Sequence, residues 1–354
     1  MNSQMLVGTA RSMMAAGKGL LAMDESTGTC NRRFAAAGIP QTEEARRAYR
    51  ELLVCTPGLG QHISGAILFD ETIRQQTTDG VPFVQVLGEA GIVVGIKVDM
   101  GAKPLAGHPG ELVTEGLDGL RGRLEEYFAM GARFAKWRGV LKIGAGLPGS
   151  ACIAANAHAL ARYAALCQEA SLVPIVEPEV LMDGAHTLAR CGEVTTEVLR
   201  EVFEQLHGQG VVLEAMILKP NMVLPGMSSP DPASLDEVAR ATIECLLRTV
   251  PAAVAGVAFL SGGQPAQLAT ARLNAMHLQS TARGPSQQVR SRDVPWPLTF
   301  SFGRALQQPA LSLWAGNEAN RVDAQRALLH RARCNGAATR GDYDATMDVE
   351  DVPA

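Results

Sequence analysis

The sequence predicts an α/β protein that folds as a single (β/α)8 TIM barrel. Short apolar runs, bounded by polar or glycine-containing turns, recur eight times along the 354 residues. Their starts are about 28 to 46 residues apart, which leaves room for one helix and two loops each time. Eight parallel strands that alternate with helices close most simply into a barrel, and a doubly wound open sheet is the alternative. The predicted strands begin at residues 19, 65, 92, 132, 173, 215, 254 and 298.

Helical periodicity fills the intervals between these runs. Thr42 is a candidate N-cap, and Glu43 and Glu44 follow it in the first turn, where the helix dipole favours acidic side chains. Tyr49 and Leu52 then fall on one apolar face of that helix. Similar patterns predict further helices at about 151–169, 195–207, 234–249 and 265–277.

Two segments do not follow this pattern. Residues 279–292 are polar and rich in turn-forming residues, which predicts an exposed loop before the last strand. The end of the chain is acidic with little apolar content. We therefore expect a barrel domain over 1–334 and a mobile tail over 335–354.

Composition excludes several classes of protein. A net charge of −4 gives no general attraction to nucleic acid or to anionic membranes, and no apolar run approaches the roughly 18 residues of a membrane span. The seven scattered cysteines form no Cys-x-x-Cys pair, and the N-terminus lacks a secretory signal pattern, so we expect reduced thiols in the cytoplasm. The seven histidines form no i, i+3 or i, i+4 pair, so no metal site is predicted.

Charged residues at strand ends indicate the chemistry. Lys219 ends an apolar run in a chain with only six lysines. A lysine in an apolar pocket near other cations loses its proton more easily, which favours attack on a carbonyl and Schiff-base formation. Alternate strand residues face the same way, so further charges are expected at the C-terminal rim of the barrel, where barrels build active sites. These are Asp24, Lys97 with Asp99, Lys136 with Arg138, and Glu177 with Glu179.

Two loops have the composition of phosphate sites. Ser261, Gly262 and Gly263 end the seventh predicted strand and open a helix, so backbone N–H groups could approach an anion. Ser301, Gly303 and Arg304 follow the eighth strand and add a guanidinium. Loops after strands seven and eight form the recurrent phosphate site of TIM barrels.

Seven of these segments, in order over about residues 15–335, resemble the class I fructose-bisphosphate aldolases. The resemblance implies a TIM barrel, lyase activity without a metal or another cofactor, a phosphorylated sugar as substrate and commonly a homotetramer. The matching segments are 21–28, 94–99, 134–138, 176–179, 218–222, 260–264 and 300–304.

The resemblance also implies roles for the catalytic residues. Lys219 would condense with the substrate ketone, and Glu177 would act as the acid and base that dehydrates the carbinolamine. Lys136 would assist electrostatically, with Glu179 orienting it. Asp24 would accept the proton of the C4 hydroxyl during carbon–carbon cleavage.

The same comparison implies two phosphate sites. The ketone-side phosphate would lie at the two glycine-containing loops with Arg33 nearby, and Arg138 would line the pocket between the two sites. The aldehyde-side phosphate would be held by Lys97, Ser26 and Thr29, where Thr29 stands in place of a frequent serine.

The chain departs from the family pattern in three places. It lacks the C-terminal tyrosine of animal members, Phe302 replaces a usual tyrosine, and the segment 279–292 is longer than its counterpart. Fructose 1-phosphate and sedoheptulose 1,7-bisphosphate therefore stay open as substrates beside fructose 1,6-bisphosphate. Two other functions also stay open, a phosphosugar isomerase or epimerase and an enzyme-derived binding protein.

Overall fold

A computed structural model describes residues 3–281 and 294–349. The ten strands are β1 (Gly19–Ala22), β2 (Ile63–Leu68), β3 (Val93–Lys97), β4 (Ala102–Pro104), β5 (Leu112–Thr114), β6 (Phe134–Leu141), β7 (Val173–Val180), β8 (Ile217–Leu218), β9 (Gly256–Phe259) and β10 (Leu298–Phe302). The α-helices are α1 (Ser3–Met13), α2 (Thr27–Ala36), α3 (Glu43–Val54), α4 (Asp70–Ile73), α5 (Phe83–Glu89), α6 (Leu120–Ala129), α7 (Ser150–Glu169), α8 (Leu188–Gly208), α9 (Leu235–Thr249), α10 (Ala266–Thr281), α11 (Arg304–Trp314) and α12 (Arg321–Ala338).

Eight of the strands form a closed parallel barrel in the order β1-β10-β9-β8-β7-β6-β3-β2. The barrel closes where Leu20 pairs with Ser301 and Leu21 pairs with Phe302. The TIM-barrel prediction is confirmed, and the doubly wound alternative is excluded because an open sheet would leave two unpaired edges. Predicted and observed strand starts differ by no more than two residues.

The N-terminal half of the barrel interior is packed with apolar side chains. Phe134 lies so close to Gly95 that a Cβ there would stand 2.2 Å from its ring, so only glycine fits opposite this phenylalanine. Helix α1 packs Leu6, Ala10 and Met13 against the same interior cluster. The packed interior leaves the other end, where the strands terminate in charged residues, to form a site.

Two details of the element order differ from the predictions. A short antiparallel hairpin, β4–β5, follows β3 and was not predicted, since each strand has only three residues. Helix α10 continues to Thr281, so residues 279–281 of the predicted loop are helical, while 282–292 lie outside the described residues.

The predicted tail boundary at 335 falls inside a helix. Helix α12 continues to Ala338, and Asn335 is fully buried beside Thr270, whose hydroxyl donates to its amide oxygen. The chain beyond it also packs on the barrel domain: the Tyr343 N–H donates to Asn274, and Asp348 pairs with Arg331. Composition predicted the boundary wrongly because specific tertiary contacts of polar groups, which composition does not reveal, hold this segment on the barrel. Residues 350–354 lie outside the described part of the chain.

No helix in the described part of the chain is long and apolar enough to cross a membrane.

Candidate active site

A cavity of about 690 Å³ opens where the barrel strands end. All sixteen side chains and glycines predicted for the site line it, although they come from widely separated segments. They are Asp24, Ser26, Thr29, Arg33, Lys97, Lys136, Arg138, Glu177, Glu179, Lys219, Ser261, Gly262, Gly263, Ser301, Gly303 and Arg304.

Strand alternation brings the central charges together. In β6, Lys136 and Arg138 line the cavity while Trp137 between them points outward and packs on Tyr163 of α7, with ring centroids 5.6 Å apart. Lys219 follows β8, and its N–H donates to the Val176 carbonyl of the neighbouring strand at 2.8 Å. The barrel register therefore fixes the backbone of every central residue.

Glu177 bridges two lysines at the centre of the cavity. Its Oε1 lies 3.2 Å from Lys219 Nζ, and its Oε2 lies 3.3 Å from Lys136 Nζ. The exposed fractions of Lys219, Lys136 and Glu177 are only 3%, 3% and 4%. Charges buried to this degree are stable only when paired, so the three groups form one coupled unit.

Asp24 and Asp99 complete the pairing of Lys136. Its ammonium lies 2.7 Å from Asp24 Oδ2 and 4.0 Å from Asp99 Oδ2. Burial alone would raise the pKa of Asp24, but Lys136, Lys219 and Lys97 together lower it to about 2. Burial likewise opposes the charge of Lys136, and the carboxylates of Asp24, Glu177 and Asp99 raise its pKa above the ordinary lysine value. Both groups are therefore ionised at neutral pH.

Glu179 pairs with Arg138, contrary to the predicted contact with Lys136. The Arg138 Nε donates to Glu179 Oε2. Burial of Arg138 opposes the guanidinium charge, but Glu179 and other acids outweigh burial and raise the pKa of Arg138. Among the described residues, no direct contact between Glu179 and Lys136 supports the role implied for Glu179 in orienting Lys136. Asp99 has such a contact, and it also lies 2.7 Å from Lys97 Nζ through its Oδ1. The strand pattern predicts its place beside Lys97 but gives it no role.

The loop after β9 is a tight turn over two glycines. The Gln264 N–H donates to the Ser261 carbonyl at 3.0 Å, and Gly262 and Gly263 between them have φ values of 57° and 89°. Both angles lie in the left-handed region that favours glycine, and a Cβ on Gly263 would stand 3.0 Å from Arg304 Nη2. The turn therefore exposes backbone rather than side chains to the cavity.

The loop after β10 adds a hydroxyl and a helix N-terminus. Ser301 is buried, and its Oγ has no hydrogen-bond partner among the described residues, so it has capacity for a ligand. Gly303 is the N-cap of α11, and Arg304 is its first residue. The helix dipole and the guanidinium both favour an anion here.

A second polar rim lies at the N-terminus of α2. Ser26 Oγ donates to Thr29 Oγ1 at 3.2 Å, and Arg32 Nη2 donates to the same oxygen at 3.0 Å. Arg32 also lines the cavity and was not predicted, although its spacing of three from Thr29 places both on one helical face. Arg33 is held by Glu25 and lies 3.3 Å from Gln308 Oε1.

A model of the glycolytic fructose-bisphosphate aldolase class-I family matches residues 5–352, which is nearly the whole chain. The chain belongs to this family. It is therefore an aldolase, a lyase, and the predictions of family, fold and enzyme class are confirmed. The isomerase and binding-protein alternatives are not supported.

Relatives match the aldolase along almost all of its length. A protein of Xanthomonas axonopodis pv. citri named "Probable fructose-bisphosphate aldolase class 1" is 56% identical over 97% of this chain and 99% of its own. Fructose-bisphosphate aldolase 5, cytosolic, of Arabidopsis thaliana is 51% identical over 96% of this chain and 91% of its own. The fructose-bisphosphate aldolase of Plasmodium falciparum, solved with TRAP and a small-molecule inhibitor, is 46% identical, has a TM-score of 0.92, and the match covers 97% of this chain and 96% of the solved one.

The one close cluster of potential metal ligands found in the described part of the aldolase lies apart from the cavity. Among the described residues, one group of three such side chains occurs, His330, Cys334 and Asp348, and none of them lines the cavity. Asp348 is already engaged by Arg331 and accepts a hydrogen bond from Tyr343. This cluster anchors the end of the chain and has no connection to the lysines at the centre.

Proposed function

We propose that the enzyme reversibly cleaves fructose 1,6-bisphosphate to dihydroxyacetone phosphate and glyceraldehyde 3-phosphate through a Schiff base on Lys219, without a metal. The observation that carries this proposal is the single carboxylate of Glu177 between Lys219 and Lys136. An amine and an acid in contact are the groups that imine formation requires.

The first half of the reaction forms the imine. Glu177 takes a proton from the Lys219 ammonium, and the neutral amine that this leaves attacks C2 of the ketone to give a carbinolamine. Glu177 delivers a proton to the departing hydroxyl, which leaves as water, and the nitrogen lone pair forms the protonated imine. Lys136 stabilises the resulting Glu177 carboxylate, which it contacts in the resting enzyme.

The second half breaks the carbon chain. Asp24 accepts the proton of the C4 hydroxyl, the C3–C4 bond breaks, and its electron pair moves to the imine nitrogen to leave an enamine. The aldehyde product departs with C4 as its carbonyl carbon. Protonation of C3 and addition of water to the imine then release dihydroxyacetone phosphate and regenerate the amine. Asp24 is able to accept this proton because its pKa of about 2 leaves it ionised at neutral pH.

Both ends of the cavity are suited to phosphate. The C1 phosphate would be bound by Ser301, the N-terminus of α11 and the turn at Gly262 and Gly263. The C6 phosphate would be bound at the opposite rim by Lys97, Ser26 and Thr29, with Arg138 between the two ends. Two anion sites favour a bisphosphate, so fructose 1,6-bisphosphate and sedoheptulose 1,7-bisphosphate fit this arrangement better than fructose 1-phosphate. A homotetrameric state and a cytoplasmic location follow the family resemblance and the cytosolic relatives.

Borohydride trapping tests the proposal. The enzyme is incubated with fructose 1,6-bisphosphate and reduced, and the adduct is located by peptide mass spectrometry, with a parallel cleavage assay in a chelator. We expect one adduct on Lys219 and undiminished cleavage with chelator. Lys219→Met should lose both adduct and cleavage while folding normally, and Lys103→Met, on the exposed β4 strand, should keep both. Normal turnover by Lys219→Met would end the imine proposal, and loss of cleavage with chelator would end metal independence.

A further inference from the structure

Arg272 of α10 is a buried cation that has no acidic partner among the described residues. Its exposed fraction is 8%, and its Nη1 donates to Gln264 Oε1 at 2.8 Å. Its Nε has no hydrogen-bond partner within the described residues, and no carboxylate there lies within ion-pair distance. Burial lowers the pKa of Arg272, and no acidic group offsets that effect.

Two other buried arginines of the chain each contact a carboxylate. Arg50 lies 2.9 Å from Glu25 Oε2, and Arg331 contacts Asp348. A guanidinium cannot lose its proton under physiological conditions, so an unpaired buried one destabilises the fold by its desolvation. Such a group is retained where an anion or a catalytic function uses its charge.

Gln264, the one hydrogen-bond partner that Arg272 has in the described part of the chain, closes the glycine turn after β9. Gln264 donates its N–H to Ser261, and Gly262 and Gly263 between them line the cavity. Gln264 and Gly262 also line one small void of about 10 Å³, and Gln264 is not among the residues that line the cavity. Arg272 is not among the residues that line the cavity, and it is linked to the turn through one buried hydrogen bond to Gln264.

We propose that Arg272 is a positioning residue for the ketone-side phosphate: it holds the side chain of Gln264, which closes the glycine turn, and adds an uncompensated positive charge to this region. The inference rests on the proposed function, because it assumes that the phosphate next to the ketone binds at this turn. Bound phosphate provides the counter-ion that the described structure otherwise lacks near Arg272. A positive charge in a low-dielectric region acts on an anion without contacting it.

A pair of ligands isolates the phosphate contribution. Dihydroxyacetone phosphate and dihydroxyacetone carry the same ketone, but only the first has a phosphate. We would measure the half-maximal concentration of each ligand, meaning the concentration that gives half of the maximal borohydride-trapped adduct. The proteins compared are the parent enzyme, Arg272→Met, Arg272→Gln and Arg272→Lys. We expect the half-maximal concentration of dihydroxyacetone phosphate to rise on the order of tenfold in the Met and Gln variants. The half-maximal concentration of dihydroxyacetone should stay unchanged. Arg272→Lys, which keeps the charge, should recover most of the loss.

Arg331→Met is the matched control, because this buried arginine has its own carboxylate and does not contact the turn. It should leave both half-maximal concentrations unchanged and lower the thermal midpoint, whereas Arg272→Met should keep or raise the midpoint by removing an unpaired buried charge. Equal shifts for both ligands, or no shift in the Met and Gln variants, would overturn the proposal. Absence of any adduct in the parent enzyme would instead refute the imine chemistry, so the two failures are distinguishable.

Discussion

Ionised Asp24 should stabilise the folded enzyme in a pH-dependent way. Its pKa is about 2 in the folded protein and 3.8 as the ordinary value, because the neighbouring lysines outweigh its burial. At ~1.36 kcal/mol for each pKa unit, this difference corresponds to about 2 kcal/mol of stability at neutral pH. Since the folded value is the lower one, the contribution is complete above about pH 5 and is lost as the pH falls towards 2. About half of it remains at pH 3.

The variant Asp24→Asn measures this contribution, since an amide resembles the protonated carboxyl group. Free energies of unfolding by urea are compared at pH 7, 4 and 3 with tryptophan fluorescence as the probe. We expect the variant to be less stable than the parent by about 2 kcal/mol at pH 7 and by about 1 kcal/mol at pH 3. Asp183→Asn, at the exposed rim of the same cavity, should change stability by less than about 0.5 kcal/mol at each pH.

A stability difference that does not change with pH would refute this account of Asp24. A variant that is more stable than the parent at pH 7 would refute it as well, because the ionised carboxylate would then lower the free energy of unfolding. Activity gives a second measurement on the same protein. If Asp24 accepts the C4 proton, Asp24→Asn should lower kcat for cleavage by about 10² to 10⁴ while still forming the dihydroxyacetone phosphate adduct. Loss of the adduct as well would contradict a role confined to cleavage.

Two further substitutions test the rest of the site. Lys136→Met should destabilise the fold by about 3 to 5 kcal/mol, because it removes the ion-pair partner of Asp24 and leaves Glu177 paired with Lys219 alone. An unchanged urea midpoint would contradict the pairing. Gly263→Ala should cost about 1 to 2 kcal/mol in stability, from its φ of 89°, and raise KM for phosphorylated substrate more than it lowers kcat. Gly88→Ala, inside α5 with nothing near its Cβ, should be neutral or stabilising, and a KM effect of equal size there would refute a local role for the glycine turn.

Strand spacing and alternation predicted much of this architecture. The eight strand starts followed from apolar runs, and the facing of Lys136 with Arg138, or of Glu177 with Glu179, followed from the two-residue period of a strand. A TIM barrel gathers strand ends at one rim, so these residues were expected together without knowledge of any distance.

Contacts between neighbouring strands were not predictable in the same way. Glu179 pairs with Arg138, and Asp99 pairs with Lys136, because of rotamers and of a register that only the closed barrel fixes. Nothing in the sequence predicted that Arg272 is buried, since an arginine in a helix is expected on the solvent side. The tail boundary failed for a related reason: polar composition does not reveal that Asp348 has a buried arginine to pair with.

The charges at the centre of the cavity are balanced in number, and this has a consequence for how substrate is bound. Four cations lie beside four carboxylates; they are Lys97, Lys136, Arg138 and Lys219 with Asp24, Asp99, Glu177 and Glu179. Such a network has little net charge left to attract phosphate. Under the proposed function, the ketone-side phosphate therefore depends on groups outside this network, which are the glycine turn, the N-terminus of α11 and Arg304. The aldehyde-side phosphate would share Lys97 with Asp99. The central network is then free to move protons between fixed partners while the rim holds the two ends of the sugar.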